Sequence, residues 1–342
     1  MNTLTRLRGG LLCTFLAAGG AHAADRCAAM TSALSRQACA TPVTAALQDK
    51  MIRGLARASK ALSADGAQKL QASQQAWRRF VDESCDGSEG PAASGQDEAP
   101  CVSNALYTRI TELAQVGLRA GTHVLTLADR YVIAPAPVQA DLTLGFRQMP
   151  FVWQINYPQI DGAASPAALA WNRSQEPALP TAADSRPTQL VVNYEVGCAG
   201  DRLLSVQVVT YEFSQGAAHG NTGLQAQNFV VDPALRPMTP DDLFAPDSDW
   251  DARLPELVWQ VYLDGGGQHA KVPEFEQNVR EAAAEPGHWL LTPRGMEIGF
   301  SSYEAGCYAC GPGRLTVPWP KLAPLLASKS APVCEAPPDD AD

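Results

Sequence analysis

The first third of the chain repeats its apolar residues at helical spacing, three or four positions apart. One such series is Leu47, Met51, Leu55, Ala58 and Leu62. A second predicted helix runs from about Asp65 to Glu83, and a third from about Val102 to Leu118. A polar segment rich in Gly, Ser, Asp and Pro separates these two helices. Residues 24–130 are therefore predicted to form a helical unit.

The rest of the chain changes to the period of a β-strand. Alternate residues of Arg202–Phe213 point to opposite sides, and Leu224–Val231 follows the same pattern. A glycine-rich loop carrying His219 joins the two runs, which predicts a long hairpin. Further strands are predicted at Phe151–Ile160, Gln189–Val196, His288–Leu291, Met296–Ser301 and Arg314–Val317, and helices at Ala167–Asn172, Leu243–Leu263 and Glu274–Ala284.

These elements predict an α+β fold in two parts. A small, disulfide-stapled helical N-terminal domain is followed by a mixed α+β domain with an antiparallel sheet. The predicted limits are 24–130 for the helical domain, 131–141 for a linker and 142–328 for the α+β domain. Residues 329–342, which are rich in proline and acidic residues, are predicted to form a disordered tail.

Residues 1–23 have the pattern of a secretory signal peptide. Arg6 and Arg8 supply the positive charge, and Leu11–Ala18 is a short apolar run. Ala21–Ala23 provides an A-x-A cleavage site. The apolar run is too short to span a membrane, and no second long apolar segment follows. These features predict a soluble protein that is exported to a bacterial periplasm or secreted.

Cysteine usage fits that compartment, because an even number of cysteines in an oxidising environment favours disulfides over thiol chemistry. The cysteines after the signal peptide are Cys27, Cys39, Cys85, Cys101, Cys198, Cys307, Cys310 and Cys334. A bond between Cys85 and Cys101 would close a loop of about 17 residues and stabilise the fold by roughly 3 kcal/mol in the chain-entropy model. Cys27 and Cys39 bracket another short segment in the same way. The four cysteines of the second half allow three pairings, and the sequence does not choose among them.

Charge is distributed unevenly along the chain, whose formal net charge is −10. Residues 24–130 contain 12 basic and 11 acidic residues, whereas residues 131–342 contain 12 basic and 25 acidic residues. An acidic surface disfavours nucleic acid and anionic lipid as partners and favours a cationic partner. It also contributes to solubility, which is the simpler explanation.

Patterns typical of catalytic or cofactor sites are missing from the sequence. The four histidines after the signal peptide lack metal-binding spacing. Cys307 and Cys310 form C-x-x-C, but a strand follows them in place of the helix that lowers a thiol pKa. No nucleophile elbow, P-loop or dinucleotide fingerprint is present. Asp241 and Asp242 follow Thr239 as in a helix start. A non-enzymatic protein without cofactor or metal is therefore predicted.

The candidate binding residues lie on two predicted loops. His219 and Asn221 belong to the hairpin loop. Tyr303, Glu304 and Tyr308 belong to the loop after Met296–Ser301. Tyrosines on a constrained loop provide contact area at low cost in conformational entropy. Two alternatives stay open: His219 can serve only the turn, and the tyrosines can pack in a core or along an edge strand.

A set of residues in the helical part has a recognisable order and spacing. Its members are Cys27, Cys39, Leu70, Gln74, Trp77, Asp82, Cys85, Cys101, Arg109 and Leu113. In this order they resemble the N-terminal domain family of the LprI lysozyme inhibitors. Val81 stands where that family usually has an arginine. We expect Trp77 to lie in the core, and Gln74 and Asp82 to bridge or cap helices.

Three segments of the second part form another recognisable series: Gly216–Gly223, Met238–Phe244 and Gly295–Trp319. They resemble the extracellular domain of the RsiV anti-sigma factor, a module that also accompanies the catalytic domain of PdaC-type peptidoglycan deacetylases. That catalytic domain is absent from this sequence. Where the family often has Ala-Pro-Tyr-Ala-Ala-Gly, this chain has Gly306–Gly311 with two cysteines, which implies an extra local constraint or bridges to Cys198 and Cys334.

Both resemblances imply a lysozyme-type partner. We therefore expect an exported, non-enzymatic protein that binds or inhibits lysozyme-type muramidases, whose usually basic surface would suit the acidic half. The loops Gln215–Gly223 and Ser302–Gly313 are expected to contact the partner. One alternative is a module that binds peptidoglycan or another envelope component without inhibition, and a less favoured one is an envelope hydrolase.

Overall fold

The computed structural model describes residues 27–85, 98–134, 150–178, 188–265, 272–308, 313–327 and 334. The predicted signal peptide, most of the predicted linker and nearly all of the tail lie outside these residues. The observed architecture is α+β, with helices first and a sheet-rich part after them, as predicted.

Helices make up the beginning of the described chain. They are α1 (Ala33–Ala40), α2 (Pro42–Ala61), α3 (Ala64–Cys85) and α4 (Glu98–Gln115). Ser32 and Thr41 cap α1 and α2, because each side-chain oxygen accepts a hydrogen bond from an N–H three residues later. Two disulfides, Cys27–Cys39 and Cys85–Cys101, staple this part and confirm the two local pairings suggested by the sequence.

A seven-stranded sheet follows, with its strands in chain order across the sheet. The strands are β1 (Arg119–Ala120), β2 (His123–Ala134), β3 (Phe151–Ile160), β4 (Gln189–Ala199), β5 (Leu203–Phe213), β6 (Asn221–Val230) and β7 (Arg236–Pro237). Neighbouring strands are antiparallel except β3 and β4, which run parallel. A parallel pair needs a long crossover, and helix α5 (Pro166–Gln175) lies in that connection.

The helices and the sheet share one hydrophobic core. Strand β2 runs through residue 130, the predicted end of the helical domain, and pairs with β3 from Leu125 to Ala134. Residues 119–120 and 123–134 therefore form strands rather than helix. The ring of Phe80 on α3 stacks on Tyr131 of β2 at a centroid distance of 4.9 Å. Sequence periodicity misses this joint core because it identifies a buried face without identifying the element that covers it.

A buried polar network reinforces the joint between helices and sheet. The guanidinium group of Arg109 lies 3.0 Å from a carboxylate oxygen of Glu112 and 3.5 Å from one of Asp129 on β2. The amide of Asn156 on β3 donates to the other oxygen of Glu112 at 2.6 Å. Burial raises the pKa of Glu112, although the Arg109 charge opposes that shift. A buried ion pair offsets the cost of removing its charges from water only when the other polar atoms of both groups are also hydrogen-bonded.

A second core lies in the C-terminal part. It is built from α6 (Trp250–Asp264), α7 (Pro273–Ala284), α8 (Trp319–Leu322) and a separate antiparallel sheet of β8 (Trp289–Leu291), β9 (Gly295–Phe300) and β10 (Gly313–Pro318). The small sheet is tied to the large one through side chains: Asn228 donates to the carbonyl of Trp289 at 2.8 Å, and Ser205 accepts from the N–H of Leu291 at 2.9 Å.

The structure decides two sequence predictions for this part of the chain. The helix predicted at Leu243–Leu263 begins only at Trp250, because Thr239 and Asp242 cap a short 3-10 turn at Pro240–Asp242 and the chain then leaves helical geometry. The structure also selects Cys198–Cys334 among the open pairings. Cys307 is likewise disulfide-bonded, and Cys310 lies outside the described residues.

Candidate binding site

The connection between β5 and β6 forms the first wall of the candidate site. The two strands pair to their ends, with Glu212 opposite Asn221, so the predicted long hairpin is confirmed. Gly220 lies against the ring of Tyr211, and a Cβ atom at this glycine would come within 2.5 Å of that ring. A side chain at position 220 would therefore require the Tyr211 ring or the turn to move. His219 directly precedes this closely packed glycine.

The second wall is the loop that follows β9. Ser301 and Ser302 hydrogen-bond along the free edge of β6: the N–H groups of Leu224 and Thr222 donate to their hydroxyl oxygens, each at 3.1 Å. The N–H of Ser302 donates to the carbonyl of Thr222 at 2.9 Å. Strand β7 pairs only with the end of β6, so these hydrogen bonds engage backbone groups on the part of that edge that β7 does not cover. They also hold the loop against the hairpin.

An aromatic cluster of His219, Tyr303 and Tyr308 connects the two loops. The hydroxyl of Tyr303 lies 2.8 Å from Nε2 of His219, and Nδ1 of the same ring lies 3.1 Å from the carbonyl oxygen of Gly220. The ring of Tyr308 stacks on His219 at a centroid distance of 3.6 Å. Tyr303 has a left-handed backbone with φ of 71°, yet half of its surface is exposed. Such a conformation is uncommon for a bulky residue and is found at ligand sites.

Glu304, also predicted to bind, is engaged inside its own loop. One carboxylate oxygen accepts from the N–H of Ser301 at 2.7 Å, and the other lies 3.5 Å from Nε2 of His288. Its backbone carbonyl accepts from the amide of Asn278 on α7 at 2.7 Å. The residue therefore shapes the loop on which Tyr303 is presented.

An open cleft of about 510 Å³ lies between the two loops. It is lined by Thr210, Glu212, His219, Asn221, Thr222, Gly223, Ser301, Ser302 and Tyr303. The structure thus brings together His219, Asn221 and Tyr303 on one cleft, with Tyr308 behind His219. Glu212 and Thr210 were missed by the sequence analysis. The pairing register of the hairpin could have indicated them, because they lie opposite Asn221 and Gly223.

Both ring nitrogens of His219 are engaged by neighbouring groups, which fixes the orientation of the imidazole ring. Among the described residues, no group of three or more His, Cys, Asp or Glu is arranged to hold a metal ion. No helix in the described part of the chain is long and apolar enough to cross a bilayer.

The helical residues that carried the first resemblance lie inside the protein. Trp77 and Val81 are fully buried, and the guanidinium of Arg109 lies 5.9 Å from the centre of the Trp77 ring. Gln74 accepts a 3.0 Å hydrogen bond from Arg109. Asp82 accepts from the hydroxyl of Ser32 at 2.8 Å and so links α1 to α3, in agreement with its expected role in bridging helices. These residues are therefore engaged in contacts within the fold.

Two family models match separate parts of the chain. Residues 24–113 match the model described as lysozyme inhibitor LprI. Residues 241–320 match the model described as a protein of unknown function, DUF3298. The chain joins an LprI region to a DUF3298 region. The DUF3298 region contains Tyr303, Glu304 and Tyr308, whereas His219 and Asn221 precede it. The cleft is therefore formed by residues inside and outside the matched region.

Solved structures similar to this chain include two members of the DUF3298 family. One, from Bacteroides fragilis, is 17% identical with a TM-score of 0.43, and the match covers 61% of this chain and 96% of that protein. The other, from Pseudomonas aeruginosa, is 17% identical with a TM-score of 0.39, and the match covers 60% of this chain and 95% of that protein. No curated protein matches the chain significantly.

Proposed function

We propose that this chain is an exported, non-enzymatic protein that binds and inhibits lysozyme-type muramidases in a bacterial periplasm or outside the cell. The observation that carries the proposal is the match of residues 24–113 to the LprI lysozyme-inhibitor family. The disulfides Cys27–Cys39 and Cys85–Cys101 fit an oxidising compartment. The limits of the two domains and the linker remain part of this proposal.

Electrostatics support a basic partner. The excess of acidic residues lies in residues 131–342, which contain the cleft and both of its loops. An acidic surface attracts a basic enzyme during diffusional encounter, and the resulting increase in association rate falls as salt is added.

The loops Gln215–Gly223 and Ser302–Gly313 are the proposed contact elements. In the described part of these loops, the stacked pair His219–Tyr308 holds the exposed ring of Tyr303 in one position. A rigid, half-exposed tyrosine loses little conformational entropy when a partner covers it, which is typical of residues that dominate binding energy.

Titration of lysozyme activity with the purified protein tests the proposal. We expect stoichiometric loss of muramidase activity and a complex visible by size-exclusion chromatography. Tyr303→Ala should weaken binding by about 1–2 kcal/mol, roughly five- to thirtyfold in Kd. Leu169→Ala is the matched control, because Leu169 is also exposed but lies on α5. Absence of both inhibition and complex at micromolar protein would rule the proposal out.

A separate variant shows which region makes the contact. Tyr107 is 54% exposed on α4 of the LprI region. If Tyr107→Ala weakens the complex and Tyr303→Ala does not, the helices rather than the two loops bind the enzyme.

A further inference from the structure

The floor of the cleft is one face of the hairpin end. Thr210 lies opposite Gly223 and Glu212 lies opposite Asn221 in the antiparallel register. Directly opposed residues share one face of an antiparallel pair, so these four positions point into the same space. A Cβ atom built on Gly223 would meet nothing within 4 Å. The floor therefore has bare backbone at its centre and polar side chains around it.

The polar groups of this floor have unused hydrogen-bonding capacity. Within the part of the chain that the structure describes, the side chains of Glu212 and Asn221 make no hydrogen bond or ion pair, and both are exposed. A carboxylate offers acceptors only, while an amide and a hydroxyl offer donors and acceptors together. Together these side chains offer hydrogen-bond donors and acceptors, which suits a ligand whose repeating units each carry donors and acceptors.

The wall adds an aromatic surface. His219 and Tyr308 cover one face of each other at 3.6 Å and are only partly exposed, so the half-exposed ring of Tyr303 is the most accessible aromatic surface of the three. The lining is more polar than that of a typical small-molecule pocket, but the volume of about 510 Å³ lies within the range of 300–1,000 Å³ for such sites.

We propose that this cleft binds a neutral oligosaccharide. The Tyr303 ring packs on the C–H face of a sugar ring, while Glu212 and Asn221 hydrogen-bond its hydroxyl groups. A cationic side chain is the main competitor, since Glu212 is a carboxylate. It is disfavoured because the lining contains one acidic group and one half-exposed aromatic ring, and because the open cleft offers much more space than one ammonium or guanidinium group fills.

The proposal does not rest on muramidase binding, and its test uses the full chain alone. Isothermal titration and amide NMR would measure binding of tetra-N-acetylchitotetraose, cellotetraose and N-acetyl-L-arginine amide to the mature protein. We expect saturable binding of at least one saccharide, with amide shifts on residues 210–212, 221–223 and 301–303. Binding of the arginine amide alone, or of no probe at millimolar concentration, would overturn the proposal.

Gly223→Val is the decisive variant. Its side chain would project into open space on a β-strand, so it fills the cleft floor with little expected effect on folding. We expect saccharide affinity to fall at least about tenfold, with thermal stability maintained. Tyr303→Ala should have a similar effect, and Tyr107→Ala, an exposed tyrosine on α4, should have none. Unchanged saccharide binding in a folded Gly223→Val protein would exclude this cleft as the site.

Discussion

The hydroxyl of Tyr303 and Nε2 of His219 lie 2.8 Å apart, although 84 residues separate them in the chain. This hydrogen bond closes the pair of loops around the cleft, and the stack of Tyr308 on His219 completes the closure. The position of the exposed Tyr303 ring therefore depends on a residue of a different loop. Any ligand that uses Tyr303 depends on His219 as a positioning residue.

Substitutions in this pair should separate the hydrogen bond from the ring stack. Tyr303→Phe removes the hydroxyl and keeps the ring, so we expect a loss of about 0.5–1.5 kcal/mol in the free energy of unfolding. His219→Ala should cost more, because it also removes the partner of the Tyr308 ring. Urea unfolding followed by fluorescence measures both. Equal losses in the two variants would mean that the stack adds nothing to the hydrogen bond.

Arg109 is expected to be far more important for stability than any exposed ion pair. Arg109→Met leaves Glu112 as a buried carboxylate without its cation, which typically costs 3–5 kcal/mol. Both side chains are fully buried. Lys69→Met is the control, because the Lys69–Asp65 pair is exposed and should contribute less than about 1 kcal/mol.

The double variant Arg109→Met with Glu112→Gln tests the cause of that loss. Removal of the carboxylate charge should restore part of the stability lost in Arg109→Met. Equilibrium unfolding of the parent, of Arg109→Met, of Glu112→Gln and of the double variant gives the coupling energy. If the double variant is less stable than Arg109→Met, the unpaired charge is not the reason for the loss.

The contribution of Asp242 to stability should depend on pH. Hydrogen bonds from the Arg236 guanidinium, at 2.8 and 2.6 Å, lower the pKa of Asp242, with help from the N–H and hydroxyl of Thr239. A lowered pKa in the folded state stabilises the protein above the ordinary aspartate value of about 3.9, and this stabilisation is lost as the pH falls through the folded pKa.

Asp242→Asn should therefore be less stable than the parent at pH 7, with the difference becoming smaller below about pH 4. Urea unfolding at pH 7, 5 and 3 measures the difference. Asp241→Asn is the control, because Asp241 is an exposed neighbour without these bonds. A difference that stays constant from pH 7 to pH 3 would contradict the assigned role of the Arg236 contact.

Local patterns alone were sufficient for much of the fold. Strand β3 begins and ends where its alternation predicted, at Phe151 and Ile160, and the hairpin of β5 and β6 follows from two alternating runs around a glycine-rich loop. The short-range disulfides Cys27–Cys39 and Cys85–Cys101 were also predictable, because each pair brackets a short segment of the chain. These features depend on residues close in sequence.

Other features required the tertiary structure, because they depend on residues far apart in the chain. A period in the sequence shows which face is buried, but it does not name the covering element, so the shared core of helices and sheet was missed. The pairing of Cys198 with Cys334, 136 residues apart, was one of three possibilities in the sequence. The sequence by itself determined the two loops and their candidate residues His219, Asn221, Tyr303, Glu304 and Tyr308. Only the tertiary structure placed Ser301 and Ser302 against the free edge of β6, which brings His219, Asn221 and Tyr303 to one cleft. It also showed that the Glu304 carboxylate is engaged within its own loop.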